Sequence, residues 1–193
     1  MEKFNINNKQ IILGSQSPRR KELLNAMGLK FKVKKLNVEE SYPQSLSPIQ
    51  TALFLSRKKS KAYNVSHNEL LICADTIVYQ KNNIFEKPKS KKEAVQMLTE
   101  ISNKQHYVVT GVTLKTKEEE LSFYERSIVK FKKLSKSEIL FYVNNYNPLD
   151  KAGGYGIQDW IGLIGVEKIS GSFYNVMGLP TLKIYENILK LKK

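Results

Sequence analysis

The sequence holds one cysteine, Cys73, and two histidines, His67 and His106, among 193 residues. A single cysteine excludes a disulfide within the chain. Lying in an apolar stretch, Cys73 reads as a small buried hydrophobe. So few histidines and cysteines nearly exclude a zinc site of the usual kind. They also leave nothing from which to build a Ser-His-Asp or Cys-His arrangement. The Gly-x-Ser-x-Gly elbow and the Gly-x-x-x-x-Gly-Lys phosphate loop are both missing. No apolar run is long enough to span a membrane. The first eight residues are polar and carry no signal-peptide core, so a cytoplasmic protein without a membrane partner is expected. Acid is also scarce: 18 Asp and Glu stand against 32 Lys and Arg, for a net charge of +14.

What is present suits a globular protein. Hydrophobic content is 41% and charged content 26%, ordinary for a folded chain. The length predicts a single domain over residues 1–193. The charge raises nucleic acid as a partner. The lysines, however, are spread over 30–35, 57–61, 87–92, 130–136 and 190–193, without the interleaved aromatics of a base-stacking strip. A solvated lysine-rich surface, or a small anionic substrate, fits the charge better.

Ile11-Ile12-Leu13 suits a short buried strand. Ser17 and Pro18 then open a helix that presents Leu23, Leu24 and Met27 on one face and stops at Gly28. Residues 31–35 alternate as a strand. A second helix starts at Ser47-Pro48 and runs to about Tyr63. The strongest strand signal is Leu70–Tyr79, ending at a turn at Asn82-Asn83. Capping boxes at Ser90–Glu93 and Ser135–Glu138 open two more helices. Between them, two β-rich runs flank a charged hairpin turn at 117–120. Residues 150–158 form a glycine-rich loop, 161–169 read as strand, and 180–191 as a closing amphipathic helix. The irregular alternation with a long hairpin predicts an α/β or α+β fold with a mixed sheet.

Three places carry chemistry. The first is Gly14-Ser15-Gln16-Ser17-Pro18-Arg19-Arg20, a strand-to-helix turn. Free N–H groups at a helix start attract anions. Arg19 and Arg20 in the first turn oppose the dipole unless an anion is present, and arginine grips phosphate bidentately. A surface helix with stray basic residues is the competing reading. The second is Asp75, a carboxylate in an apolar strand, costly unless paired, hydrogen-bonded or metal-bound; a structural Asp capping a bend at Asp75-Thr76 competes. Glu39-Glu40 could add a carboxylate to a divalent metal, which at phosphate sites commonly takes one or two carboxylates and substrate oxygens. The third is the 150–158 loop, whose glycines allow close backbone approach and whose Gln158 amide suits a base edge. Lys61, and Lys87 beside Pro88, are further candidates for phosphate contact.

Together these segments resemble the Maf family of nucleotide pyrophosphatases. The resemblance rests on Ser15-Gln16-Ser17-Pro18-Arg19-Arg20-Lys21-Glu22-Leu23-Leu24, Ala74-Asp75-Thr76-Ile77-Val78, Glu86-Lys87-Pro88, Asp150-Lys151-Ala152-Gly153-Gly154-Tyr155-Gly156-Ile157-Gln158 and Val176-Met177-Gly178-Leu179-Pro180. It implies a fold like the inosine triphosphate pyrophosphatases, an α/β bent mixed sheet flanked by helices with a cleft between two lobes. It implies hydrolysis of a nucleoside triphosphate to monophosphate and pyrophosphate, a divalent cation (Mg²⁺ or Mn²⁺) and a homodimer. The family's proton acceptor falls on Asp75. Its substrate contacts fall on Ser15, Arg20, Glu39, Lys61 and Lys87, with Glu39 also the candidate metal ligand. Its three specificity positions read Arg19, Thr76 and Gln158, the set resembling the dTTP/UTP branch. Gly14, where Ala is more usual, and Asp159-Trp160, where a small residue is often found, depart from the pattern. The competing class is a cell-division or septum regulator that binds nucleic acid or protein.

Overall fold

The computed structural model describes residues 9–81 and 83–191. In chain order the elements are β1 (Gln10–Leu13), α1 (Pro18–Ala26), β2 (Phe31–Val33), α2 (Pro48–Lys61), β3 (Glu69–Gln80), β4 (Asn83–Phe85), α3 (Lys91–Ile101), β5 (Gln105–Lys115), β6 (Glu120–Phe131), α4 (Lys136–Asn145), a 3-10 turn (Ala152–Gly154), α5 (Trp160–Gly165), β7 (Val166–Ser170), α6 (Phe173–Met177) and α7 (Thr181–Lys190). Among the described residues the strands pair in the order β2-β1-β3-β5-β6-β7, with β4 on β3. The sheet is mixed, as expected: β1 runs parallel to β2 and β3, while β4 on β3 and β7 on β6 are antiparallel.

Local chemistry sets most boundaries. At the end of α1, Gly28 takes φ +73°. Its N–H bonds Asn25 O and the Leu29 N–H reaches Leu24 O, the closure that an αL residue after a helix permits. Ser47 and Gln50 form a full capping box on α2, as Ser135 and Glu138 do on α4. At α3 the box is half formed: Ser90 accepts from the Glu93 N–H, but the Glu93 carboxylate accepts from Lys89 N–H instead. The Ser17 side chain makes no cap bond on α1; Ser15 Oγ accepts the Ser17 N–H at 3.2 Å.

One expectation shifts. Residues 161–169 are not a continuous strand: 160–165 form α5 and only Val166–Ser170 pairs with β6. A short apolar run with glycines is ambiguous by periodicity. Here Gly162 and Gly165 allow the helix to lie close, a Cβ on Gly162 falling 1.9 Å from Ile157 O. The turn read at Asn82-Asn83 includes Asn82, outside the described residues, as are Met1–Asn8; Asn83 begins β4.

The chain forms two compact units. Unit 1 comprises Met1–Asp75, Thr110–Glu125 and Gly178–Lys193; unit 2 comprises Thr76–Val109 and Arg126–Met177. In unit 1 the buried side chains of β1 and the start of β3 (Ile11, Ile12, Leu13, Leu70, Leu71, Ile72) line the core with Leu23, Leu24 and Leu55. Helix α2 lies directly on β5, where a Cβ on Gly111 would fall 2.4 Å from Ala52 O. A hydroxyl chain fixes the rotation of α2. Ser56 Oγ donates to Leu53 O and meets Thr113 Oγ1 at 2.9 Å. Thr113 Oγ1 meets Ser122 Oγ at 3.0 Å, and Ser122 Oγ accepts from Arg57 Nε. Ser60 Oγ donates to Glu120 Oε2 at 2.8 Å. In unit 2, His106, Phe131 and Tyr155 pack ring on ring as a buried aromatic cluster.

Candidate active site

Asp75 is the acid of unit 1 that burial singles out. It is 8% exposed, in a strand whose neighbours from Leu70 to Ala74 are all buried. A carboxylate in that position requires a partner, and the partner is Lys59. Lys59 Nζ lies 2.5 Å from Asp75 Oδ1 and 2.7 Å from Glu40 Oε1. One ammonium thus joins two carboxylates, one buried and one half exposed. Lys59 shares its helical face with Ala52, Leu55 and Ser56, which face the core; the hydroxyl chain that sets the rotation of α2 therefore aims Lys59.

Lys61, the residue expected at this place, is exposed. Two positions on in a helix is a rotation of about 200°. Lys61 accordingly lines a groove with Leu53, Phe54, Arg57 and Lys58. Glu40, not Glu39, makes the ion pair with Lys59. The missed lysine had a signal: positions 52, 55, 56 and 59 share one face whose other members are small or apolar, whereas 54, 57, 58 and 61 share a charged one. Neighbouring residues of an extended loop offer no such signal, so nothing in the sequence separates Glu40 from Glu39.

Arg20 is buried, and it bonds two backbone carbonyls and one side-chain hydroxyl. Nε donates to Gly178 O at 2.9 Å, and one terminal nitrogen donates to Ala74 O at 2.8 Å and to Ser15 Oγ at 3.2 Å. Burial pushes its guanidinium below the ordinary arginine range, and the nearby Asp75 charge partly restores it. The side chain thus ties α1 to the carbonyl that precedes Asp75 and to the Gly178 turn. Ser15 Oγ receives both this bond and the Ser17 N–H. Arg19 is half-buried.

Burial pushes the Cys73 thiol up to about 12, so it stays protonated and inert near neutral pH. Its Sγ fills the space beside Gly14, where a Cβ would come within 2.6 Å of it. The departure from Ala at Gly14 is thereby explained: Cys73 occupies the volume.

Unit 2 carries Thr76, Lys87 and Gln158. Thr76 is half-buried and Lys87 exposed. The Glu86-Lys87-Pro88 segment is anchored by Gly153 N–H, which donates to Glu86 O at 3.2 Å. Gly153 and Gly154 both take φ near +73°, and a Cβ on Gly153 would strike Val78 at 2.9 Å; the glycines are needed for both reasons. Gln158 Oε1 is buried and has no hydrogen-bond partner among the described residues. Buried acceptors are normally satisfied, so Gln158 Oε1 is an unmet acceptor among the described residues.

Among the described residues no three His, Cys, Asp or Glu side chains are gathered into a ready-made metal site. The residues nevertheless fit a hard divalent cation. Glu40 and Asp75 already converge on one positive charge, and Mg²⁺ commonly takes one or two carboxylates, completing its shell with water and phosphate oxygens.

The model of the Maf-like protein family matches residues 10–191. A Bacteroides thetaiotaomicron protein named dTTP/UTP pyrophosphatase is 49% identical over 190 residues, covering 97% of this chain and 98% of its own. A Cytophaga hutchinsonii protein of the same name is 47% identical over 187 residues, covering 96% and 86%. The solved structure of the Staphylococcus aureus Ham1 protein aligns with a TM-score of 0.48 at 15% identity, over 96% of this chain and 100% of that one. The chain belongs to the Maf family.

Proposed function

We propose that this protein hydrolyses dTTP and UTP, or pyrimidine triphosphates modified on the base, to the monophosphate and pyrophosphate. The observation that carries the reading is the buried Asp75 held against Lys59 and Glu40, in a chain nearly half identical to proteins named for that activity. Water attacks the α-phosphorus, and Asp75 accepts its proton as the new P–O bond forms. The bond from the α-phosphorus to the bridging oxygen breaks, and pyrophosphate leaves with the electron pair. Lys59 orients the Asp75 carboxylate and supplies positive charge beside the phosphates, and the second of these is the contact that the resemblance implied for Lys61. Arg20 and Ser15 act by holding the backbone at Ala74 and at the start of α1. A divalent cation, Mg²⁺ or Mn²⁺, would be held by Glu40 and Asp75, with Glu39 the adjacent acid, and would neutralise phosphate charge when bound.

Gln158 and Thr76, with Arg19, are assigned to base selection, and Lys87 to phosphate. Thymine and uracil present an N3–H donor next to a carbonyl acceptor. The orphaned Gln158 Oε1 supports acceptance of that N3–H, with the amide N–H donating to the carbonyl. A cytoplasmic homodimer completes the reading.

A panel of nucleoside triphosphates with Mg²⁺ or Mn²⁺, assayed for pyrophosphate, tests it. Release from dTTP and UTP, abolished in a folded Asp75→Asn variant, is expected. Absence of release from every nucleotide, with salt-sensitive DNA binding instead, would establish the regulator reading. Unchanged turnover by Asp75→Asn would remove Asp75 from its role.

A further inference from the structure

We infer that the Tyr142 phenol is the positioning residue for base selection: a clamp that holds the turn presenting Gln158. This rests on the assignment of Gln158 to the base edge. Asp159 N–H donates to Gly156 O at 3.1 Å, which closes a four-residue turn with Ile157 and Gln158 at its centre. Both corners of that turn meet the same hydroxyl. Gly156 N–H donates to Tyr142 Oη at 3.0 Å, and Tyr142 Oη donates to Asp159 Oδ2 at 2.8 Å. The phenol is fully buried on α4.

Asp159 is held from the other side as well. Lys151 Nζ lies 3.6 Å from Asp159 Oδ2 and 2.8 Å from Asp150 Oδ1, and it donates to Asn147 O. The carboxylate sits directly over Gly156, where a Cβ would be 2.5 Å from Asp159 Oδ2. The main chain of Asp159 then starts α5, its carbonyl accepting from the Gly162 and Leu163 N–H groups. Gln158 thus stands between two residues that cannot move apart while the phenol bridges them. An amide whose acceptor is left without a partner needs such an external restraint: nothing bonded to Oε1 fixes it before the base arrives. The aspartate where a small residue is more usual is what makes the second half of the clamp.

Tyr142→Phe keeps the ring and deletes both bonds. The measurement is kcat and KM for dTTP, UTP and CTP in the wild type, Tyr142→Phe, Gln158→Ala and the double variant, each checked by thermal unfolding. CTP is the reference because its base reverses the donor and acceptor at N3 and C4. In Tyr142→Phe, the dTTP-to-CTP ratio of kcat/KM should fall at least fivefold, mainly through KM for dTTP. The double variant should be no less selective than Gln158→Ala alone. If Gln158→Ala lowers the ratio but Tyr142→Phe leaves it unchanged, or if the two losses multiply, the clamp is wrong while the base reading stands. If Gln158→Ala itself leaves the ratio unchanged, the base reading fails and the clamp with it. Asp159→Ala, which removes the acceptor of the phenol, gives the same readout should Tyr142→Phe not fold.

Discussion

Lys59 and Lys61 are two residues apart, and the structure separates them by the rotation of one helix. Lys59 joins Asp75 and Glu40, while Lys61 is exposed. Lys59→Ala should lower kcat/KM for dTTP at least tenfold, and Lys61→Ala should stay within about twofold, because Lys59 holds Asp75 whereas Lys61 is exposed on the face it shares with Arg57 and Lys58. Steady-state pyrophosphate release decides it, and equal effects would reverse the assignment. Gly14 offers a test of packing. Its missing Cβ leaves room for Cys73 Sγ and Leu36. Gly14→Ala should cost about 1–3 kcal/mol, the usual range for overpacking a core, and Cys73→Ala should relieve most of it. A double-mutant cycle by chemical denaturation measures the coupling; additive losses would show that the two sites do not share the space.

At the scale of elements, α2 is the part whose placement matters most for the chemistry. Its backbone touches β5 at Gly111, and its hydroxyls are wired to Thr113, Ser122 and Glu120. Gly111→Ala would put a methyl 2.4 Å from the Ala52 carbonyl, a backbone atom that no rotamer change can move. The expected outcome is a stability loss of about 1–3 kcal/mol with a fall in kcat/KM, since α2 carries Lys59. A variant as stable and active as wild type would show that the helix is free to shift. Most elements were legible from local signals, because caps, proline at a helix start and glycine after its end act within a few residues. Ser47-Pro48, Ser135–Glu138 and Gly28 behave as read. The 161–169 segment was not legible. Its apolar residues suit either element, and the choice was made by Ile157 O lying against Gly162.

At the scale of the whole molecule, global stability has a pH dependence that originates in unit 2. His106 is buried against Phe131 and Tyr155, and its Nε2 lies 2.6 Å from Tyr155 Oη. Burial lowers its pKa from 6.5 to about 4. The unfolded chain therefore binds more protons between these values. Stability is fully present above about pH 6.5 and falls as pH drops toward 4, by roughly 3 kcal/mol at about 1.4 kcal/mol per unit. Denaturant titrations at pH 7, 5 and 4 should show this slope, and His106→Phe should flatten it; an unchanged slope would place the titration elsewhere. A chain at +14 has its own repulsion to add in acid, so the comparison with the variant is the decisive one. By itself, the sequence determined most of the elements up to α4, the mixed sheet and the segments that carry the family resemblance, because these depend on residues close together in the chain. Only the tertiary structure decided that Lys59 and Glu40 meet Asp75, and that Arg20 braces backbone carbonyls 54 and 158 positions away. It alone placed one phenol over both ends of the Gln158 turn. Those outcomes depend on how far a helix is rotated and on which distant carbonyl is left to accept, and neither quantity is written in local spacing.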